Sequence, residues 1–252
     1  MKKPLIQRVV LTYFLLGFFA VVNAQTGSQS DLSQKYIRVQ VEFIDVSHEQ
    51  FTELMNGDQP AANDGELRKQ VSQLVKDGKA TVVETLLTTA QNGQKAFTYS
   101  HEEVIYPTEY EGAVLADHTH AEDAQGTTKT PRTRIDPTVG PMPTSFEPRY
   151  VGPTLEIEPT ISGDKKMIHL RFESEIVYHL GNEVWAEWKG PYGNSPLQMP
   201  KFYVLRLITT LSLTDGHYML AAAQSPKNKE GKVDSTRKLM VFVKAVIITT
   251  EP

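Results

Sequence analysis

The chain has 252 residues, a formal net charge of -4 and no cysteine. Its mild acidity argues against a nucleic-acid-binding protein, which needs a basic surface to neutralise phosphates. Without cysteine the chain can form no disulfide, so its stability has to come from packing, from assembly with other subunits, or from both.

The N-terminus has the composition of a cleavable signal peptide over residues 1–24. Lys2, Lys3 and Arg8 precede an apolar run at 9–22, which is followed by small residues. This order of basic, apolar and small segments is typical of secretory signals. A retained membrane anchor is the alternative, although a span needs about 20 apolar residues. We therefore expect an exported protein that folds outside the cytoplasm.

The first elements of the exported part are readable from periodicity. Apolar residues alternate with polar ones over 36–46, which predicts a half-buried strand. Ser47 can then cap a short helix that extends to about Met55. Apolar residues at helical spacing over 67–75, followed by Gly78, predict a second helix.

The remaining ordered segments are extended. Three pairs of them are predicted to form hairpins: 81–90 with 94–106, 150–161 with 167–178, and 202–214 with 217–224. Asn92 and Gly93 supply the positive φ angles that the first turn needs, and a final strand is predicted at 238–249. Between 112 and 148, a run of Thr, Pro, Gly and charged residues without periodicity predicts a mobile insertion.

These elements define a fold class and a domain layout. We predict an α+β domain, mainly an antiparallel β-sheet or sandwich of about seven strands, with two helices in the N-terminal third. A signal peptide at 1–24 and a polar linker at 25–35 precede this domain, which covers 36–252.

Few residues suggest chemistry. His118 and His120 lie among carboxylates and are weak metal-ligand candidates, but a solvated polar loop explains them equally, and we expect no metal. Glu173 and Glu175 could be an acid pair, yet their alternation with apolar residues is that of a solvated strand face. No nucleophile motif, phosphate loop or dinucleotide fingerprint occurs. We expect neither an enzyme nor a cofactor.

Two features are candidate partner-binding sites. Trp185, Trp188 and Tyr192 form an aromatic cluster in a loop-like context near a predicted hairpin end. Such residues can anchor a partner protein or stack on a sugar, or they can pack over the open end of a β core.

The second candidate is the apolar final strand, with Leu239, Val241 and Val243. An apolar strand near a chain end can be a free edge that pairs between subunits. A central strand with both faces covered has the same composition.

The order of the segments resembles the C-terminal domain of bacterial secretins, the ring-forming gates of type II and type III secretion and of type IV pili. The residues that carry the resemblance are Val41 to Ile44, Asn92 to Gln94, Val151, Gly152, Leu155, Ile157, Pro159, Ile161, Thr209, Thr210, Leu213, Asp215 and Gly216. The resemblance covers about 36–250. It implies an exported envelope protein, in the periplasm, at the outer membrane or on the cell surface, that acts through contacts with other copies of itself or with secretion or pilus proteins.

The departures from the family pattern are also informative. Ala221 and Ala222 replace a glycine pair, and the polar segment 224–237 stands where secretins place an apolar lip that inserts into the outer membrane. About ten polar residues take the place of the usual periplasmic modules. We therefore expect a divergent, stand-alone structural or accessory subunit with peripheral rather than integral membrane association.

Overall fold

The structure is a computed structural model. It describes residues 35–57, 63–112, 114–115, 137–190, 193–228 and 230–249. The predicted signal peptide, most of the predicted linker, His118, His120 and Tyr192 lie outside the described residues, so the predictions made for them stay predictions.

The described chain contains two helices and eleven strands. The helices are α1 (His48–Gly57) and α2 (Gly65–Lys76). The strands are β1 (Tyr36–Ser47), β2 (Ala80–Gln91), β3 (Ala96–Tyr99), β4 (Glu102–Glu111), β5 (Val114–Leu115), β6 (Pro137–Val139), β7 (Met142–Ile161), β8 (Met167–Gly190), β9 (Gly193–Thr214), β10 (Tyr218–Gln224) and β11 (Arg237–Ile248).

The long strands form two antiparallel sheets. The first sheet has the order β10-β11-β1-β2, and the second has the order β3-β7-β8-β9, with β4 also pairing with β7. The short strands β5 and β6 pair with each other. The predicted α+β class with mainly antiparallel sheet is confirmed.

The first sheet is covered on both faces. On β1, Val39 and Val41 face the second sheet and join the main core, in which Leu155 and Phe172 are also fully buried. Residues of opposite parity, such as Ile44, face the helices and form a smaller core. The molecule therefore has three layers, with the helices, the first sheet and the second sheet in that order.

Both helices form where the sequence predicts them. Ser47 caps α1, because its hydroxyl accepts a hydrogen bond from the Gln50 amide at 3.2 Å and its own amide donates to the Gln50 side chain at 3.4 Å. Gly78 follows α2 with a φ of 69°, a left-handed conformation that suits glycine. Within the described part of the chain, no helix is long and apolar enough to cross a membrane.

Two of the three predicted hairpins are wrong. Asn92 and Gly93 do form a turn, but it leads from β2 in the first sheet to β3 in the second. The reason lies in the turn's own bonds: the Asn92 side-chain oxygen accepts from the Ile161 amide at 2.7 Å, and the Gly93 amide donates to the Pro159 carbonyl at 2.8 Å. The turn is thus tied to the second sheet.

The turn at Asp215 and Gly216 crosses between the sheets in the opposite direction, from β9 to β10. The Asp215 carboxylate accepts from the Ile247 amide, and the Gly216 amide donates to the Ala245 carbonyl, both at 2.8 Å. These two crossing turns close the sandwich. A turn residue pattern fixes local geometry but does not say which strand the returning segment pairs with.

The remaining predicted hairpin and the final strand are confirmed, with different boundaries. β7 pairs with β8 from Gly152 to Ile161, and β11 occupies nearly the predicted range. Residues 142–148, predicted to belong to a mobile insertion, are instead the first part of β7 and pair with β4. The sequence analysis did not predict the long pairing of β8 with β9.

A buried serine offers a test of this core. Ser174 on β8 is fully buried, and its hydroxyl has no hydrogen-bond partner among the residues that the structure describes. An unsatisfied buried polar group costs about 1–3 kcal/mol, so Ser174→Ala should raise the free energy of unfolding by about 1 kcal/mol in urea denaturation. Exposed Ser212 bonds to His169 at 2.9 Å, and Ser212→Ala should stay within about 0.5 kcal/mol. A clearly destabilised Ser174→Ala protein would contradict the prediction.

Candidate assembly interface

The second sheet extends beyond the sandwich as two separate ribbons. β7 pairs with β8 only over 152–161. Before that point, residues 142–151 of β7 pair with β4, and we call this pair the first ribbon. The far ends of β8 and β9 continue as the second ribbon, in which 179–190 pairs with 193–202.

The two ribbons pack against each other. The rings of Tyr106 and Phe202 have centroids 5.9 Å apart, and the Arg149 guanidinium lies 5.9 Å from the Phe202 centroid. Further along, the Tyr110 hydroxyl donates to the Gln198 carbonyl at 3.4 Å. One face of each ribbon is therefore occupied, and the opposite face is turned to solvent.

A glycine marks the place where each ribbon leaves the sandwich. Gly152 on β7 has a φ of 129°, and a Cβ atom there would lie 2.1 Å from the Ser100 carbonyl oxygen. Gly181 on β8 has a φ of 102° and lies within the register shift between His179 and Asn182. Both positions use backbone conformations that other residues rarely adopt. The divergence of the two ribbons therefore depends on glycine at these two positions.

The second sheet has two long open edges. Among the described residues, β9 pairs only with β8, and β3 and β4 pair only with β7. β3 and β4 keep one register on β7, from Ala96 opposite Ile157 to Pro107 opposite Phe146, so they act as one edge strand. With 22 residues, β9 offers an edge about 70 Å long.

The sequence of β9 does little to protect its edge. Over 202–214 it contains no proline or glycine and a single charged residue, Arg206, and its pairing with β8 is unbroken there. Proteins normally protect open edges with lysine, proline, bulges or very short strands. The 202–214 part of the edge is therefore unprotected and suited to pairing with another strand, whereas the ribbon part of β9 contains Pro196 and Pro200.

The outward face of the second sheet carries ordered rows of side chains. One row contains Phe97, Glu156, Glu173 and Ile208, and the next contains Tyr99, Thr154, Glu175 and Arg206. Arg206 is paired with Glu173 and with Glu175, the latter at 3.6 Å. Lys95 lies 2.6 Å from Glu156, and its hydrogen bond and positive charge lower the pKa of that carboxyl. The predicted acid pair therefore lies on an open, ion-paired strand face.

At the β3–β4 edge this face becomes aromatic. Phe97, Tyr99, His101 and Tyr150 form a stack that we call the aromatic ladder, with successive centroid distances of 6.3, 4.9 and 5.6 Å. Its rings are well exposed: 67% for Phe97, 60% for Tyr99 and 57% for Tyr150. His101 is fixed by a 2.7 Å hydrogen bond between its Nε2 and the Thr154 hydroxyl. Alternation of Phe97, Tyr99 and His101 within five residues was a local signal for the ladder that the sequence analysis did not use, whereas Tyr150 joins it only through the β4–β7 pairing.

The ladder continues along the first ribbon as an apolar strip. Ile105, Phe146 and Met142 are between 55% and 65% exposed, and Ile105 and Phe146 lie on the same face as Tyr150 by strand alternation. Contiguous exposed apolar surface in a folded protein generally marks an interaction site. The strip and the open β3–β4 edge thus coincide.

The predicted tryptophan cluster lies in β8 rather than in a loop, which corrects its predicted context. Trp185 lies at a register shift between Val184 and Ala186 and is 76% exposed. Trp188 is half-buried and packs closely on the segment before β7, since a Cβ at Gly140 would lie 3.0 Å from its ring. Of the two tryptophans, Trp185 is therefore the one whose side chain is largely open to a partner.

The edge interpretation of the final strand is wrong. β11 lies between β1 and β10, and Leu239, Val241 and Val243 are at most 2% exposed. Their side chains belong to the core between the sheets. The alternative of a central strand with both faces covered describes β11 correctly.

A cleft of about 460 Å³ lies beside Gly152, where the two ribbons leave the sandwich, a place that we call the branch point. It is lined in part by Glu84, His101, Glu102 and Tyr178. Burial, followed by the nearby Tyr203 and Glu84, raises the pKa of Tyr178. Within the described ranges, no three His, Asp or Glu side chains are grouped so that they could hold a metal ion.

No protein-family model matches the chain, and no curated protein matches its sequence. Among solved structures, the chain is similar to the type II secretin GspD of enteropathogenic Escherichia coli, with 13% identity and a TM-score of 0.43 over 88% of this chain and 72% of that one. It is also similar to the InvG secretin domain of the Salmonella SPI-1 injectisome, with 9% identity and a TM-score of 0.41 over 88% and 66%. The type IV competence pilus secretin PilQ of V. cholerae matches with 9% identity and a TM-score of 0.39 over 86% and 62%.

Proposed function

We propose that this chain is a structural subunit of an envelope-associated assembly of the secretin kind, in a secretion or type IV pilus system, and that it acts by contacts between proteins without catalysis. The observation that carries the proposal is the second sheet, in which β9 on one side and β3–β4 on the other pair with no further described strand, and in which the β9 edge is unprotected over 202–214. The ordered secretin-like segments of the sequence support the same function.

The two edges are complementary in direction. β9 is antiparallel to β8 and therefore runs parallel to β7, whereas β3 and β4 run antiparallel to β7. The β9 edge of one copy can therefore add to the β3–β4 edge of the next as an antiparallel pair, the commoner kind. Such head-to-tail contacts between unlike edges close into a ring or continue as a filament.

The edges also differ in charge. The β3–β4 edge carries Glu102 and Glu103, both exposed, while the β9 edge carries the exposed Lys201; Arg206 on β9 is already paired with Glu173 and Glu175. Opposite charges across a strand pair are favourable, and like charges are unfavourable. Association of unlike edges is therefore favoured over association of like ones.

The test is the mass in solution of the chain without residues 1–24, measured by light scattering over a range of concentrations. The proposal predicts a mass of several chains. Lys201→Glu should weaken association about tenfold, or 1.4 kcal/mol, because it replaces a positive charge on the β9 edge by a negative one close to the partner's Glu102 and Glu103. Lys201 is exposed in its own chain, so folding should be unharmed.

Thr160→Asp is the matched control. Thr160 is exposed but lies on β7, which pairs with β8 on one side and is covered on the other side by the Asn92–Gly93 turn. This variant should associate like the wild type. A protein that has the mass of one chain at every concentration would refute the proposal.

A second candidate is a surface module that binds glycan through its exposed tryptophan. The observation in its favour is the 76% exposure of Trp185, since exposed aromatic rings can stack on sugars. In a glycan array, Trp185→Ala should then abolish binding while Trp188→Ala, at a packed position, should mainly affect stability. Absence of glycan binding by the wild type would remove this candidate.

A further inference from the structure

We propose that the aromatic ladder is the lateral contact for the next copy of this chain, and that it packs against the outward row Val204, Arg206 and Ile208 of that copy's β9. This inference rests on the proposed assembly and adds to it the side chains that meet. The occupant of the exposed aromatic surface is therefore a second copy rather than an unrelated protein or a sugar.

The first step concerns faces. Phe97 and Tyr99 lie opposite Glu156 and Thr154 and share the outward face of the second sheet with them. On β9, even-numbered residues from 204 to 210 lie on that same face, because they pair with outward residues of β8. When an edge strand adds to a sheet in continuation, outward side chains meet outward side chains.

The second step concerns chemistry. Val204 and Ile208 are 38% and 53% exposed, although both are apolar, and Arg206 lies between them. Aromatic rings opposite β-branched residues are among the favourable cross-strand pairs, and an arginine beside a tyrosine ring adds a cation–π contact. The aromatic ladder and the β9 row are thus both exposed, both more apolar than a typical solvent-facing surface, and complementary in side-chain type.

The third step concerns position. His101 is fixed to Thr154 and lies between the rings of Tyr99 and Tyr150, so the ladder is ordered before any partner binds. Arg206 is likewise held by Glu173 and Glu175. Preorganised side chains lose little conformational freedom on association. The aromatic ladder and the β9 row are therefore both ordered in the single chain.

The absence of cysteine from the chain permits a clean test by disulfide trapping. Tyr99→Cys is combined in turn with Val204→Cys, Arg206→Cys, Ile208→Cys and Thr210→Cys, and each protein is oxidised at a concentration where it is assembled. Tyr99 and Arg206 lie in one row with two strands between them, about 14 Å apart. A disulfide needs Cα atoms within about 7 Å, so any bond that forms joins two chains.

The control series replaces Tyr99→Cys with Thr98→Cys. Thr98 lies opposite buried Leu155 and therefore faces the core. We expect one or two neighbouring positions of the Tyr99 series to give a series of covalent multimers on a denaturing gel. The Thr98 series should give several-fold less of these multimers.

Each outcome has a distinct meaning. If the protein assembles but the Tyr99 series gives no covalent multimers, or no more than the Thr98 series, this inference is overturned and the proposed assembly stands. A wild-type protein with the mass of one chain at all concentrations would overturn both. Trapping at outward positions alone would establish which faces meet and in which register.

Discussion

Replacing Glu42 by glutamine is expected to lower the free energy of unfolding by about 3–5 kcal/mol, because it leaves a buried arginine without its counter-charge. Glu42 on β1 and Arg68 on α2 keep side-chain exposures of only 8% and 14%. Two hydrogen bonds of 2.6 and 3.1 Å join them. Breaking one partner of such a pair costs far more than the pair itself contributes.

The surroundings of Arg68 explain why it cannot relax into water. Its guanidinium lies 5.7 Å from the Tyr218 centroid and 5.8 Å from that of Phe242, and it also bonds to Ser72. Arg68→Met should be destabilising for the same reason. The double variant Glu42→Gln with Arg68→Met should recover part of the loss, because no unpaired charge then remains.

The same helix supplies a matched control. Lys69 and Glu66 also lie 2.6 Å apart, but their side chains are 74% and 81% exposed. Exposed pairs contribute at most about 1 kcal/mol, so Glu66→Gln should change stability by less than about 0.5 kcal/mol. Urea denaturation of both variants measures the contrast. Equal effects of Glu42→Gln and Glu66→Gln would contradict the account of the helix layer.

Replacing Gly152 by alanine should cost on the order of 3 kcal/mol or more. The added Cβ would lie 2.1 Å from the backbone oxygen of Ser100, and φ is 129°. Backbone cannot move aside as a flexible side chain can, so either β7 or the β3–β4 edge must shift. The variant should therefore also weaken assembly, since it displaces the edge that accepts β9.

Gly163→Ala is the control for this prediction. Gly163 lies in the β7–β8 turn, and a Cβ there would meet no atom within 4 Å. It should stay within about 0.5 kcal/mol of the wild type, and its mass in solution should be unchanged. Gly152→Ala with the stability and mass of Gly163→Ala would show that the branch point tolerates other backbone conformations.

Local structure was largely predictable from the sequence, because it depends on neighbours in the chain. The β1 strand, the Ser47 cap and the Gly78 stop each depend on residues a few positions apart, and each is confirmed. The predicted half-burial of β1 is wrong over 41–44, where the helices cover the second face. The apolar composition of β11 also predicted a strand. It could not distinguish an edge from a centre, because Val241 and Val243 are equally apolar in either place.

Sheet pairing was less predictable, because it depends on distant residues. Asn92 does form a turn, but its side chain bonds to Ile161, 69 residues away. No local pattern signals that bond. The branching at Gly152 was hidden in the same way, since the atom that excludes a side chain belongs to Ser100.

The candidate interface shows the same contrast between features that depend on local sequence and features that depend on long-range pairing. Trp185 was identified from composition, and its exposure agrees with a surface role. The aromatic ladder was not identified, although Phe97, Tyr99 and His101 alternate within five residues; Tyr150, more than forty residues from His101, joins it only through β4–β7 pairing. Edges of a sheet become visible only when the strand order is known.

Hydrogen–deuterium exchange at the two edges of the second sheet tests the central claim most directly. It compares the protein at a concentration where light scattering gives one chain with the protein at a concentration where it gives several. Assembly by strand pairing predicts that amides of β9 and of β3–β4 gain strong protection in the assembled form, while the paired interior strands β7 and β8 change little. Assembled protein whose β9 and β3–β4 amides exchange as fast as those of the single chain would contradict it.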